Sequence, residues 1–323
     1  MMDHGGDVWQ GSGPGQWLDF SASLRPEGTP DWVLEAMARA LEAARYYPQR
    51  SMDEARRGLC AYAGVEPARL LPTAGGVAAI DLICQVARRV FYLPPTFNEY
   101  ARRARVHGRH ALPYQGELGA GDVLFLCNPN NPTGEALSRQ AVLELGERVA
   151  RQGGILAVDE AFIDYCPECS VRDRAGDSLW VAGSLTKILA IPGARLGYLL
   201  SGQAPLAAME ALALPWALNA FAGAVAQALP DHLDQLAQEA ALNRLRREQL
   251  AQALASRGAL VFPSQANFLL ADLGRTVPDL REQGILVRDC ASFGLSPRHL
   301  RVGVRTPAEN LRLIQALWPS EPA

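Results

Sequence analysis

"VAGSLTKILAIPGARLGYLL", residues 181–200, carries only two charged side chains, Lys187 and Arg195, among glycine, alanine and aliphatic residues. An amine or a guanidinium is costly to take out of water unless a partner compensates it. A solvated helix would surround its lysine with other polar residues, and this segment does not. It therefore predicts two buried cations that meet an anion and an electrophile. The two ends of the stretch, within "SLWVAGS" (178–184) and "RLGYLLS" (195–201), read as strands.

Upstream, "DVLFLC" (122–127) and "GILAVDEAF" (154–162) are similar short aliphatic runs bounded by glycine or proline. Near-continuous apolar runs suit strands covered on both faces. Between them "LSRQAVLELGERVARQG" reads as a helix, with Ser138 as its cap and Leu143, Leu145 and Val149 on its buried stripe. Strands alternating with helices predict right-handed crossovers and a mostly parallel sheet, with ligands at the carboxyl ends of the strands. "GTPDWVLEAMARALEAARYYP" (28–48) reads as one helix, capped by Thr29, entered through Pro30 and stopped by Pro48. From about residue 220 the texture changes to long Ala/Leu/Gln/Arg/Glu helices, followed by short strands at "ANFLLAD", "GILVRD" and "LRVGV". The expected organisation is an arm over 1–27 that packs with the small domain, a large α/β domain over 28–219 and a smaller α+β domain over 220–323.

The bulk numbers exclude several classes. The 323 residues include 31 basic and 34 acidic side chains, a net charge of -3, which gives no overall drive towards nucleic acid or a membrane surface. No apolar run reaches the ~18 residues of a spanning helix. The start, "MMDHGGDVWQG", is acidic and glycine-rich rather than a signal peptide, so a cytoplasmic protein is expected. Six scattered cysteines include one CxxC, Cys166 and Cys169, without the second pair or nearby histidines of a zinc site. Reduced thiols and no metal are expected.

Four segments carry chemistry together. "PTAGGVAAI" (72–80) sets small residues before a helical pattern, where free backbone N–H groups cradle a phosphate. "NPNNPTG" (128–134) presents Asn131 after a strand, and "AVDEAF" (157–162) puts two carboxylates directly after another. "SLTKILAIPGARLG" completes the set. Pyridoxal 5'-phosphate needs these parts: its aldehyde takes a lysine amine as a Schiff base, its ring nitrogen needs a carboxylate, and its phosphate needs amides, hydroxyls and an arginine. The imine consumes the Lys187 amine, and the dianion neutralises Arg195.

In this order, and over essentially the whole chain, the segments resemble the aspartate-aminotransferase-like, fold-type I family of pyridoxal-phosphate enzymes. The resemblance implies a three-layer large domain with a mostly parallel sheet. It makes Lys187 the Schiff-base lysine and gives the cofactor phosphate to Ser184, Arg195 and the cup of Ala74, Gly75 and Gly76. Asp159 pairs with the ring nitrogen and Asn131 bonds the ring oxygen. In "PPTFNEY" Tyr100, or else Phe97, stacks on the ring. Tyr47 in "RYYP" resembles the tyrosine that reaches the partner's cofactor phosphate, which implies a homodimer.

Within the family the chain resembles the threonine-phosphate decarboxylases of cobalamin biosynthesis and the histidinol-phosphate aminotransferases. "HGGDVW" with "WLDFSASLRPEG", Phe162 in "DEAFID" in place of the usual tyrosine, and "GILVRDCASFGL" favour the decarboxylases. By that resemblance Arg301 and Asn131 meet the substrate and Arg301 takes its carboxylate, while Arg288 and His4 are candidates for its phosphate. Two departures stand out: "SASLRPEG" lacks the arm's usual asparagines, with Arg25 as a substitute, and Arg88–Arg89 replaces a glycine turn. The alternatives are an aminotransferase, a non-enzymatic protein on this fold, or a nucleotide-binding protein using "TAGG", which lacks GxGxxG and GK[ST].

Overall fold

A computed structural model describes residues 5–9 and 13–319; His4 lies outside the described residues. In chain order the first part runs through β1 (Leu18–Asp19), α1 (Asp31–Arg39), α2 (Asp53–Ala63), β2 (Leu70–Thr73), α3 (Gly76–Val86), β3 (Arg89–Tyr92), α4 (Glu99–Val106) and β4 (His110–Pro113). It continues with β5 (Val123–Cys127), α5 (Arg139–Arg151), β6 (Ile155–Asp159), β7 (Leu179–Ser184), β8 (Gly197–Leu200), α6 (Gln203–Leu212) and α7 (Ala220–Ala228). The last part holds α8 (Leu233–Ala255), β9 (Leu260–Val261), β10 (Phe268–Asp272), β11 (Ile285–Leu286), β12 (Arg288–Asp289), β13 (His299–Gly303) and α9 (Pro307–Leu317).

The large sheet has the order β2-β8-β7-β6-β5-β3-β4. Every pairing is parallel except those of β8, which runs against both β2 and β7. The period of two is visible along β5: Leu124 and Leu126 join one core cluster with α1, α2, α5 and α7, while Val123, Phe125 and Cys127 join another with α3 and α4. Both faces are covered, which makes three layers and explains why these strands read as unbroken apolar runs. Ser138 caps α5 by accepting from the Ala141 N–H, and Leu145 and Val149 are buried as the stripe requires.

Two local expectations need correction, and one departure from the family pattern leaves its strand intact. The helix anticipated over 28–48 is α1 followed by a short 3-10 turn, Glu42–Arg45, and Thr29 does not cap it. Its hydroxyl instead donates to the Ala190 carbonyl at 2.8 Å, tying the chain to the loop that carries Lys187. Strand β3 forms in full beside Arg88–Arg89, because both guanidinia grip the buried Asp122 carboxylate. The large core also runs past residue 219: Ala222, Val225 and Ala226 of α7 lie in the cluster of α1 and α2.

A second, antiparallel sheet has the order β12-β13-β10-β9, backed by α8 and α9. The arm packs with this part of the molecule: β1 pairs in parallel with β11 as a separate two-stranded sheet, and Phe20 is buried in the core under α8 and α9. No helix among the described residues is long and apolar enough to cross a membrane.

Candidate active site

Parallel strands present their carboxyl ends on one edge of the sheet, and the sequence has stationed its polar residues there. Asp159 ends β6 and Ser184 ends the neighbouring β7. Asn131 follows β5, Lys187 follows β7, and the turn after β2 leads through Gly75 into α3. Asn131, Asp159, Ser184 and Lys187, with Gly76 at the start of α3, wall a cavity of about 660 Å³ that the small sheet closes with Arg288 and Arg301 and the arm with Gly5 and Gly6. Within the described residues no group of His, Cys, Asp and Glu could hold a metal ion.

Asp159 is buried, and its two oxygens accept from the Tyr100 hydroxyl at 2.7 Å and the Ala161 N–H at 3.0 Å. Burial holds its carboxyl above the ordinary value, against the pull of those donors and of Lys187. The Lys187 amine is brought down to about 8 by burial, then by the nearby Arg301 and Arg195 charges. On the other wall Arg301 donates to the Asn131 Oδ1 and, at 2.6 Å, to the Ser21 carbonyl, and its guanidinium lies 5.0 Å from the Phe268 ring centre. Its Nε is buried with no partner among the described residues, and burial brings its guanidinium down to about 10. Arg288 donates to the Ser292 hydroxyl at 2.7 Å and lies over Phe293.

The cavity brings together Gly76, Asn131, Asp159, Ser184, Lys187, Arg195, Arg288 and Arg301, with Phe162 and Phe97 among its walls. Ala74 stands one residue before Gly75 in the adjoining turn. Other expected residues fall elsewhere. Arg195 is exposed at the rim rather than buried, because the chain turns there with φ 60° after an open Pro192–Gly193 loop. Tyr100 does not line the cavity: its ring stacks on Phe125 at 4.6 Å and the cavity wall belongs to Phe97. Arg25 does not substitute for an arm asparagine, since it pairs with Glu239 at 3.0 Å. Tyr47 is 79% exposed, stacks on Trp216 and lies away from its own chain's cavity.

Three contributors were missed in the sequence. Thr186 bonds the Ser184 hydroxyl at 2.8 Å and lines the cavity, and its place in the "SLTK" turn was the available signal. Asp19 and Ser21 form the arm's lining: Asp19 accepts from the Ser21 hydroxyl at 2.6 Å, and Ser21 accepts from the Gly6 N–H at 2.8 Å.

This donor set fits pyridoxal 5'-phosphate. At one end the α3 amino terminus, the Ser184–Thr186 hydroxyl pair and Arg195 favour a dianion. A side chain at Gly75 would meet the Arg195 guanidinium at 2.7 Å, so glycine, here at φ +84°, keeps that cradle open. At the other end Asp159 offers the carboxylate a cationic ring nitrogen needs, and Lys187, with its depressed pKa, lies between.

Comparison with known proteins agrees. A model of class I and II aminotransferases matches residues 16–317. The chain is 34% identical to the threonine-phosphate decarboxylase of Salmonella typhimurium, covering 97% of this chain and 95% of that one. It is 29% identical to histidinol-phosphate aminotransferase 2 of Archaeoglobus fulgidus, covering 93% and 92%. The crystal structure of L-threonine-O-3-phosphate decarboxylase from Porphyromonas gingivalis superposes with a TM-score of 0.83 at 27% identity, covering 92% of this chain and 97% of that one. The fold, the cavity at the strand ends and the match over nearly all of the chain lead to one conclusion: the chain belongs to the class I and II aminotransferase family of pyridoxal-phosphate-dependent enzymes.

Proposed function

We propose that the protein decarboxylates L-threonine O-3-phosphate to (R)-1-amino-2-propanol O-2-phosphate, a step of cobalamin biosynthesis, as a homodimer in which Tyr47 reaches the partner's cofactor phosphate. The observation that carries this reading is an arginine pair. Arg288 and Arg301 are register partners on β12 and β13, 4% and 6% exposed, and both face the cavity. Like charges directly opposite on a sheet are unfavourable, and more so when buried. Two cations set side by side on the cavity wall suit a substrate with anions at both ends. Threonine phosphate carries a carboxylate and a phosphate, whereas histidinol phosphate carries only the latter.

The cofactor, when bound, supplies an aldehyde for the substrate amine and a protonated ring that accepts the electron pair left when a bond to Cα breaks. Lys187 anchors that aldehyde in the resting enzyme. Asp159 holds the proton on the ring nitrogen. Asn131, whose Oδ1 is taken by Arg301, would offer its amide hydrogens to the ring oxygen. Gly75, Gly76, Ser184, Thr186 and Arg195 grip the cofactor phosphate, and Phe97 covers the ring face. Arg301 binds the substrate carboxylate, while Arg288, with the arm and His4, takes its phosphate.

Which Cα bond breaks would then be decided by which group the residues of this site hold in the position for cleavage. Two arginines gripping the two anions set the carboxylate in that position rather than the Cα hydrogen. After CO2 leaves, Lys187, as the ammonium that took up the proton shed by the substrate amine, would be the acid that returns a proton to Cα. Phe162 packs edge-on against Phe268 at 5.0 Å, so this wall has no hydroxyl to compete for that proton.

The test incubates the holoenzyme with threonine phosphate and with histidinol phosphate in parallel. CO2 release without 2-oxoglutarate is expected, at a rate at least tenfold above any transamination. A strict need for a keto-acid acceptor would establish the aminotransferase instead.

A further inference from the structure

Tyr100 was expected over the cofactor ring and is found behind its acid. Its hydroxyl donates to Asp159 Oδ2 at 2.7 Å, and its side chain has no exposed surface. The phenol ring is fixed on two sides: Phe125 of β5 lies parallel to it at 4.6 Å and 4°, and Phe97 meets it edge-on at 5.8 Å and 86°. Helix α4 begins at Glu99, between Phe97 and Tyr100, and that turn sends Phe97 to the cavity and Tyr100 to the core. A buried tyrosine usually spends its hydroxyl on whatever acceptor its packing offers. Here the acceptor is the buried carboxylate that the cavity exposes.

Asp159 needs such support. Among the described residues no arginine, lysine or histidine stands within ion-pair distance of it, and burial favours its protonated form. Its remaining donor is the Ala161 N–H at 3.0 Å. The neighbouring thiol of Cys127, its register partner on β5, donates to the Pro129 carbonyl at 3.3 Å. The tyrosine hydroxyl is thus the one side-chain donor fixed on this carboxylate among the described residues.

We propose that Tyr100 is a positioning residue: without touching the cofactor, its hydroxyl keeps the Asp159 carboxylate ionised and aimed at the ring nitrogen. The proposal rests on the reading that Asp159 pairs with that nitrogen. A hydrogen bond to a charged group, removed from a buried site, corresponds to about tenfold or more in an equilibrium constant.

The experiment titrates the cofactor-free forms of the wild type, Tyr100→Phe and Asp159→Asn with pyridoxal phosphate and with its deaza analogue, whose ring nitrogen is replaced by C–H. Dissociation constants are read from quenching of intrinsic fluorescence. Tyr100→Phe keeps the ring packing and is expected to bind pyridoxal phosphate about tenfold more weakly, yet to bind the analogue as the wild type does. Equal losses for both ligands would reduce Tyr100 to packing, and no loss for either would make its hydroxyl idle. If Asp159→Asn also leaves the preference for the natural ring unchanged, the reading of Asp159 fails and takes the proposal with it. Should Tyr100→Phe fold poorly, 3-fluorotyrosine at position 100 keeps the hydroxyl and makes it a stronger donor. The ring 15N resonance of bound, labelled cofactor should then move further towards the protonated position, and an unmoved resonance would also overturn the proposal.

Discussion

Lys187 shows how a single residue carries a cost that function recovers. Its amine, ordinarily near 10.5, is brought to about 8 by burial and by the charges of Arg301 and Arg195. A sizeable share of it is therefore neutral at physiological pH and able to attack an aldehyde. The same shift weakens the cofactor-free protein. Between pH 8 and 10.5 the unfolded chain holds a proton that the folded chain has shed, so stability rises with pH through that window. Below it both states are protonated and the folded state bears the whole cost. Lys187→Met should accordingly make the cofactor-free protein more stable at pH 7 by about 2 kcal/mol, allowing for solvent reaching the amine through the cavity. The advantage should shrink towards pH 10.5, and the variant should release pyridoxal phosphate on gel filtration. Urea denaturation at both pH values checks this; a variant weaker than the wild type at pH 7 would show that the amine is not under strain.

At the scale of elements, β3 and its neighbours separate what the sequence reveals from what it hides. Strands β5 to β7 were legible because both faces are covered and the apolar run is unbroken. The strand beside Arg88–Arg89 was not, because its key partner, Asp122, lies 33 residues away from Arg89 at the head of β5. The carboxylate has no exposed surface and accepts from both arginines and the Gly119 N–H at 2.8 Å. Burial pushes its pKa up, but the bonds from Arg89 and Arg88 prevail and hold it at about 2. Asp122→Asn should therefore destabilise the fold by about 2 kcal/mol at neutral pH, read as a lower urea midpoint. Because the folded pKa is depressed, this contribution is complete above the unfolded value of 3.8 and fades as pH falls towards 2. The wild type and the variant should converge there. The same logic explains the site. Lys187, Asp159 and Asn131 stand in linear motifs at strand ends and could be read directly, whereas Tyr100 and Phe97 are separated only by the start of a helix, which no composition rule locates to one residue. Arg195 misled for a related reason: the apolar side chains before it, such as Ile188, Leu189 and Ile191, are buried in the connection between β7 and β8, whereas Arg195 itself sits on an exposed turn of that connection.

For the whole molecule the question is what covers the face built from α1, α2, α7 and the loop before α7. Leu41, Tyr46, Tyr47, Leu214 and Trp216 are all exposed there, and a second cavity of about 680 Å³ opens beside them, walled in part by Ala36, Gly223 and Gln227. Exposed apolar side chains of this kind suit the interface of the proposed homodimer, since a two-fold pairing uses the same patch on both chains. Tyr47 and Trp216 stack at 4.5 Å with 29° between their planes, so the tyrosine is ordered before any partner arrives. Two substitutions separate its packing from its hydroxyl. Trp216→Asp places a charge there and should turn the proposed dimer into monomers by sedimentation, with cofactor affinity falling along with assembly. Tyr47→Phe keeps the ring and its stack, so the mass should stay that of a dimer while cofactor affinity falls about tenfold, the scale of one hydrogen bond to a phosphate. If Tyr47→Phe binds the cofactor as the wild type does, the hydroxyl serves only its own chain. If Trp216→Asp remains dimeric, the pairing uses another face and each cavity is complete without its neighbour.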